Sequence, residues 1–565
     1  MKSLELRKLR ENFWTDSSRK HIMTTPASLI VNTADDPTTM FNTAGMQPLV
    51  PYLMWKQHPT GSTRVYNIQW CVRTVDIDEV GDLSHLTFFE MMWNWSLGDY
   101  FKKESITRSR EFLTSSDWLW LDPEMISVTI FEWDDDAPLD TDARDIWKWL
   151  GVSDHRITPL DKKENRRWPA GVTGPCGPDS EIFYWLWAWR PPIDSNPWND
   201  EENRLEIWNN VFMWYYKDKK SNISEMKSKN VDTGMWFERI LMVKQWDIIK
   251  RKKSEFEVGT LSAYDIDIFQ DFFTQLSTYT ILSYTTLIWS TSEWYHSDVS
   301  KKLLPSFRIV ADHIRTSLLL VNEWLCPSNE WRGYVLRRIV RRWYYHMRKI
   351  LQESNTGIQK DTLHSMITSL SKSLSKHHTH LEKNIIAVVN VIVDEMLQFQ
   401  KTLTKWWNKI DKILENHKGS VFSWNDAFLL YDTYGVPVEL TSEIVATQWL
   451  DIDMIWYEKA MEEAKERSRV GAWNKFAKWV NRADYIVGLP ETKFEWYDTY
   501  VSDDCSILKD FEIEWTRYLI FDRSPFYAEW WGQTWDSGTV ELENWELVHI
   551  SDVQKYWGVW FHRVA

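Results

Sequence analysis

Glycine is scarce in this sequence. The 565 residues hold 19 glycines, against about 40 at the usual share of ~7%. Cysteine is scarce as well. Cys71, Cys176, Cys326 and Cys505 stand far apart, with no CxxC, which argues against a disulfide framework and for a reducing compartment. No apolar run reaches the ~18 residues of a membrane helix. The opening MKSLELRKLRENF is charged and amphipathic, unlike a signal peptide. The expected location is cytoplasmic, with no membrane partner. An excess of basic charge is missing too: the formal net charge is −15. That excludes a protein that wraps nucleic acid over its whole surface, so any RNA contact must be a local basic patch.

What is present is a large apolar fraction, 43%, in a chain long enough for about three or four domains. Tryptophan is in excess, at 39 residues. One stretch is especially informative, Gln69 to Lys103. It reads as two strands joined by an acidic loop carrying Asp76, Asp78, Glu79 and Asp82. Cys71-Val72-Arg73 ends the first strand and Leu86 to Met91 forms the second, rich in strand-forming aromatics. An Arg flanked by aromatics on a hairpin suits a nucleotide: guanidinium for phosphate, ring faces for a base. On spacing alone an ordinary hairpin with one exposed Arg explains the stretch equally well.

The words RTVDIDEVG, HLTFFEM and GDYFK in that stretch closely resemble the second signature motif of the alanyl-tRNA synthetases, a class II aminoacyl-tRNA synthetase family. Ala34-Asp35-Asp36-Pro37-Thr38 and Phe41 to Met46 resemble the first motif region. Thr173-Gly174-Pro175-Cys176-Gly177-Pro178, read as a rigid turn-rich loop, resembles a segment beside the family's active site. Val231 to Ile240 resembles the third motif, a strand leading into a helix. A carboxylate at that strand's end can grip an ammonium group, and an Arg early in the helix suits phosphate. The resemblance gives these roles to Asp232 and Arg239. It assigns Asn209, on the strand Leu205 to Met213, to the alanine substrate; as a residue it reads equally as a satisfied buried amide. Phe89 is the expected adenine-stacking ring.

The middle of the chain is helical. Between Arg332 and Lys349 stand seven Lys/Arg and no acids. Arg337 with Arg341, and Arg338 with Arg342, share helix faces at i,i+4. Such clustering is costly unless phosphates arrive, so this is the expected RNA contact; a solvated face is the plain alternative. His377, His378 and His380 read as surface histidines, the run Asp134-Asp135-Asp136 as a solvated face, and Glu458 to Arg469 as a charged helix. By the resemblance Asn329 and Asp432 read the G·U wobble pair of alanine tRNA, reached through the shallow minor groove of an A-form stem. By residue type alone each is a helix or turn cap.

The resemblance implies an α+β fold in three parts: a class II catalytic domain over 1–255, its antiparallel sheet flanked by helices; a helical tRNA-recognition domain over 256–475; and the N-terminal part of an editing-domain β-barrel over 476–565. It implies that alanine and ATP, with Mg²⁺, give alanyl-adenylate, which is transferred to alanine tRNA; DNA is not an expected partner. Arg73 and Arg239 are the expected catalytic residues, and Arg73, Phe89 and Arg239 bind ATP. The chain stops within the editing region. No two of its 14 histidines have the HxxxH spacing of the family's editing zinc site, so no metal residues are assigned. An inactive tRNA-binding paralogue is the alternative. It draws on departures from the family pattern: Trp93, Trp133, Trp236, Trp331, Trp531 and Trp535 fall where the family has glycine, whereas Trp95 and Trp208 match it. Either these are real substitutions, or UGA codons meaning glycine are written as tryptophan. The second possibility predicts crowded, oddly exposed or backbone-strained tryptophans.

Overall fold

All nine residues of the strand Phe88–Ser96 are buried, and the largest sheet is built around it. The computed structural model describes the chain except residues 32–38, 55, 133–138, 162–165, 168–172, 188, 221, 252–261, 281–282, 290–298, 329–330, 352–357, 417–420, 435, 437, 447–449, 455, 457–458, 460–488, 491, 495–504, 514–515, 527–537, 543–545, 557–558 and 565. Trp133, Asn329, Trp531, Trp535, Asp134-Asp135-Asp136 and residues 460–469 therefore lie outside the described residues, as does Ala34 to Thr38.

The sheet contains β1 (Ile22–Met23), β2 (Arg64–Val72), β3 (Phe88–Ser96), β4 (Ile126–Phe131), β5 (Ile157–Leu160), β6 (Arg166–Arg167), β7 (Gly174–Trp185), β8 (Arg204–Lys217) and β9 (Ile223–Trp236). Their order is β1-β2-β3-β9-β8-β7-β4-β5, with β6 paired to β7. Pairing is antiparallel except for β1 with β2 and β4 with β5. The expected hairpin is present, with β2 ending at Val72 and β3 starting at Phe88.

Successive side chains point to opposite faces of a strand. On one face Asn94 accepts from Thr233 Oγ1 at 2.7 Å. Asn210 Oδ1 accepts from Ser105 and Ser109 of α3 (Lys102–Thr114), each at 2.9 Å. Ser180 accepts from Trp147 Nε1 of α4 (Thr141–Trp149), also at 2.9 Å. Glu90, on the same face, pairs with Arg7 of α1 (Ser3–Thr15), the helix before the short α2 (Val50–Met54). That pair belongs to a buried cluster: Arg315 reaches Glu238 at 2.8 Å and Glu90 at 3.9 Å. Each buried polar side chain here has a partner from another element, which offsets the cost of burying it.

Helices follow the sheet. α5 (Phe237–Arg251) begins where β9 ends, as the third motif requires. The helices Asp267–Leu276, Val299–Asn322, Trp331–Leu351, Lys360–Ser375 and Ile385–Asn416 come next. The three histidines after Ser375 are not all at the surface, contrary to the sequence reading. His378 is buried: it accepts from Arg315 Nε at 3.2 Å and meets Phe88 edge-on. A short 3-10 turn, Thr379–Asn384, brings this segment against the β2–β3 hairpin, where His380 stacks on Trp70 at 4.4 Å. Burial and the neighbouring Arg315 push the His378 pKa well below its ordinary value.

TGPCGP is also not a loop. It forms the start of β7, whose register against β8 shifts between Cys176 and Asp179. A Cβ at Gly177 would stand 2.0 Å from the Phe212 carbonyl oxygen, so glycine lets the two backbones approach inside the bulge.

The chain forms two compact units, one of Met1–Lys412 with Tyr434–Leu440 and the other of Ile413–Thr433 with Thr441–Ala565. The second holds a five-stranded antiparallel sheet in the order Ile507–Ile513, Thr516–Phe521, Val559–Val564, Leu547–Tyr556, Gly538–Glu541. Leu519, Phe521, Ile550, Val553 and Trp560 pack one core on it. His562 is buried there, with its Nε2 2.7 Å from Ser524 Oγ. The fold is thus α+β, a mixed, mostly antiparallel sheet flanked by helices, then a helical region, then a further sheet. No helix among the described residues is long and apolar enough to cross a membrane.

Candidate active site on the sheet

The face of the sheet opposite Glu90 and Asn94 collects the residues singled out from the second and third motifs, together with Asn209. Register alone does most of this. Trp95 stands across from Asp232, Trp93 from Gly234 and Met91 from Trp236. Asn209 of β8 pairs with Gly234, and Glu181 of β7 pairs with Asn209. Arg73, one residue past β2, hydrogen-bonds through its backbone to Thr87 at 3.0 Å, which keeps it in line with the same face.

Two neighbourhoods result. In the first, the fully buried Asp232 accepts the Trp95 indole N–H at 2.5 Å. Beside it Asn209 Nδ2 donates to Asp179 at 2.7 Å and Glu181 at 3.1 Å, while Asn209 Oδ1 has no hydrogen-bond partner among the described residues. By register three carboxylates and an amide oxygen share one face across adjacent strands. That arrangement suits a compact cation such as an amino acid's ammonium group.

The second is cationic and aromatic. The Arg73 guanidinium lies 5.1 Å from the Phe89 ring, and Arg239 is buried at the start of α5. Burial pulls the Arg239 pKa below its ordinary value; Glu206 and then Asp76 oppose this. Glu206 holds Arg239 through its side chain at 3.3 Å and its carbonyl at 3.0 Å. Burial raises Asp76 above the usual carboxylate range, with Arg73 the main opposing charge. Cations held over ring faces at a helix start suit a nucleotide phosphate and base.

An indole already fills this second neighbourhood. Trp236 stacks on Phe89 at 4.1 Å, with Arg239 4.0 Å and Arg73 4.8 Å from its ring. Trp93 lies between Gly45 and Gly234, where a Cβ would meet its ring at 2.4 Å and 2.8 Å. Its indole N–H is buried and has no hydrogen-bond partner among the described residues.

The structure thus brings Arg73, Phe89, Asn209, Asp232 and Arg239 to one face of one sheet. The four helical arginines are all engaged within their own unit. Arg337 and Arg341 pair with Glu395 at 3.3 Å and 2.8 Å, Arg338 with Asp78 at 2.7 Å, and Arg342 donates to the Ile77 carbonyl at 2.7 Å. Asp432 lies in the helix Trp424–Tyr434. Sequence reasoning missed Asp179, Glu206 and the part played by Trp95. The alternation Asp179, Glu181 just after TGPCGP was the available signal, since spacing two places both on one face.

Known proteins match this sequence over most of its length. The family model "tRNA synthetases class II (A)" matches residues 6–565. A Treponema denticola protein named alanine–tRNA ligase is 39% identical over 466 residues, covering 81% of this chain and 72% of that protein. One of the same name from Borrelia hermsii is 38% identical, covering 83% and 74%. A Thermotoga petrophila alanine–tRNA ligase is 34% identical over 580 residues, covering 100% of this chain and 62% of its own length. With its motif residues gathered on one sheet and the family match running through the sequence, the chain belongs to the class II (A) tRNA synthetases.

Proposed function

We propose that the chain is an alanine–tRNA ligase. The carboxylate oxygen of alanine attacks the α-phosphorus of ATP, a bond to that oxygen forms and pyrophosphate leaves. A ribose hydroxyl of the terminal adenosine of alanine tRNA then attacks the adenylate's carbonyl carbon. It gives up its proton, and AMP departs. The observation that carries the reading is the placement of Asp232 and Asn209 beside Arg73, Phe89 and Arg239 on one face. Asp232 and Asn209 hold the alanine ammonium. Arg73 neutralises charge building on the α-phosphate, Arg239 holds the phosphates, and Phe89 faces the adenine. Positioning and electrostatics then suffice, with no general base.

Mg²⁺ would accompany ATP. Among the described residues no group of three or more His, Cys, Asp or Glu side chains is arranged for a metal. An ion held chiefly by the nucleotide's own phosphates needs only one or two carboxylates; Glu206, Asp76, Asp82 and Glu181, whose charges act on Arg239, are the candidates. The working division places adenylation in 1–255, tRNA recognition in 256–475 through Asn329, Asp432, Arg337 and Arg338, with the buried Arg341 and Arg342 bracing the same helix, and the beginning of an editing barrel in 476–565. We place the protein in the cytoplasm.

The test is alanine-dependent pyrophosphate exchange by the protein purified from its natural source. Exchange with alanine and not with bulkier amino acids is expected. A protein that binds alanine tRNA and shows no exchange would instead be the tRNA-binding paralogue, the reading for which Trp236 over Phe89 speaks.

A further inference from the structure

Only four non-glycine residues among those described have positive φ: Lys20, Trp120, Trp324 and Trp331. Three of them are tryptophan, at φ 48°, 66° and 50°. The left-handed region costs an L-residue roughly 1–2 kcal/mol through its Cβ, and a bulky side chain there is a genuine outlier. Asparagine and aspartate enter it by bonding their own backbone; an indole has no such recourse. Trp324 is the clearest case. It follows the helix Val299–Asn322, its N–H bonds the Val321 carbonyl at 2.9 Å, and the Leu325 N–H bonds that of Leu320 at 3.2 Å. Those two bonds define the helix-ending motif whose left-handed residue is usually glycine. The three indoles are 55%, 78% and 54% exposed, far from the burial that usually repays so large an apolar side chain.

Other tryptophans behave oppositely. Trp95, Trp147 and Trp208 are buried, and their N–H groups bond Asp232 at 2.5 Å, Ser180 at 2.9 Å and Thr233 at 3.2 Å. These tryptophans therefore fall into two groups, one that uses its indole and one whose backbone conformation asks for no side chain. In the site, Trp93 and Trp236 differ from the first group in their surroundings. Trp93 buries an unbonded N–H against two glycines, and Trp236 covers the one ring face beside Arg73 and Arg239. Composition points the same way, since 39 Trp and 19 Gly sit against an expectation of about 40 Gly.

We infer that the natural polypeptide carries glycine at 120, 324 and 331, and at 93 and 236 of the site, its gene using UGA for glycine where a UGA-as-tryptophan translation writes Trp. The surface positions rest on backbone conformation alone. Positions 93 and 236 also rest on the reading of this face as an adenylation site: glycine there bares Phe89 and Arg239 and leaves a slot the thickness of one ring, open to a flat heteroaromatic base.

Peptide mass spectrometry of the protein purified from its natural source reads these positions directly. Glycine is expected at 93, 120, 236, 324 and 331, with tryptophan at 95 and 208. Tryptophan at 324 overturns the inference, and tryptophan at any other of the five overturns it there. A second experiment compares the chain made as written with one carrying both Trp93→Gly and Trp236→Gly. The double variant is expected to gain at least about 100-fold in alanine-dependent pyrophosphate exchange, the scale of loss when a reactant is displaced. Equal exchange by the two proteins overturns the site part. If the natural protein has glycine at both positions and still shows no exchange, the adenylation reading fails and the codon inference stands.

Discussion

The Trp95 indole donates to Asp232 Oδ1 at 2.5 Å, so the carboxylate assigned to the alanine ammonium is aimed by the neighbouring strand. Asp232→Ala removes a charge-assisted contact of about 1.5–3 kcal/mol. We expect kcat/KM for alanine in pyrophosphate exchange to fall by about 10- to 150-fold, mostly through KM. Unchanged exchange would reassign Asp232.

Trp95→Phe keeps the ring and deletes the N–H. One neutral donor to a buried carboxylate is worth about 1–2 kcal/mol. The variant should therefore stay folded and raise KM for alanine by roughly 5- to 30-fold, with KM for ATP nearly constant. A matching rise for ATP would show that the bond serves the whole face.

For RNA, Asn329→Ala and Asp432→Ala are expected to impair charging of alanine tRNA while leaving pyrophosphate exchange nearly intact. Equal loss in both half-reactions would contradict the assigned division of labour. The arginines call for different probes. Arg341 is buried against the equally buried Glu395, so Arg341→Ala should cost about 1–3 kcal/mol of stability. Arg338 faces the more exposed Asp78; such a pair is worth about 0–1 kcal/mol. Arg338→Ala should then weaken tRNA binding and lower its salt dependence with little change in urea midpoint.

Acid is expected to weaken the second unit through His562. Burial holds its pKa down to about 4, against 6.5 for the free side chain. The folded form thus takes up its proton less readily than the unfolded chain. Its stabilising effect is complete above pH ~6.5 and declines as pH falls toward about 4, with about 2 kcal/mol lost by pH 5. His562→Gln should flatten the urea midpoint between pH 7.5 and 5, and an unchanged slope would locate the acid sensitivity elsewhere. His21, held down to about 3, and His313, to about 4, act with the same sign in the first unit.

In the chain as written, Trp324→Gly should raise stability by about 1 kcal/mol, the usual cost of a left-handed backbone at an L-residue. Thermal melting would show it. A fall in the melting temperature would mean that the indole contributes more than its exposure implies.

Elements were legible wherever a local pattern carried them. The hairpin follows from its local residues: the strand expected to end at Arg73 ends at Val72, and the one expected from Leu86 begins at Phe88. Gly177 misled because a glycine-proline run marks a turn far more often than a bulged strand, and only the nearness of Phe212 tells the two apart. His378 misled because polar neighbours hid a burial imposed by Arg315 and Phe88, which are distant in sequence. In the site, the motifs named Arg73, Asp232 and Arg239. The alternation of Asp179 and Glu181 places both on one face, but that this face meets Asn209 is set by cross-strand register, which no local spacing records.

The cluster of Arg7, Glu90, Glu238 and Arg315 also bears on biosynthesis. Two buried carboxylates from β3 and α5 meet there, and Arg315 is the last partner to leave the ribosome. Until it does, Glu238 has no guanidinium against it; its carboxyl is pushed above the ordinary range by burial even with Arg315 in place. At ~5–20 residues per second, the 77 residues from Glu238 to Arg315 keep this face from closing for roughly 4–15 s. A chaperone that shields β3 and β9 during that interval would guard the sheet against pairing with another unfinished copy.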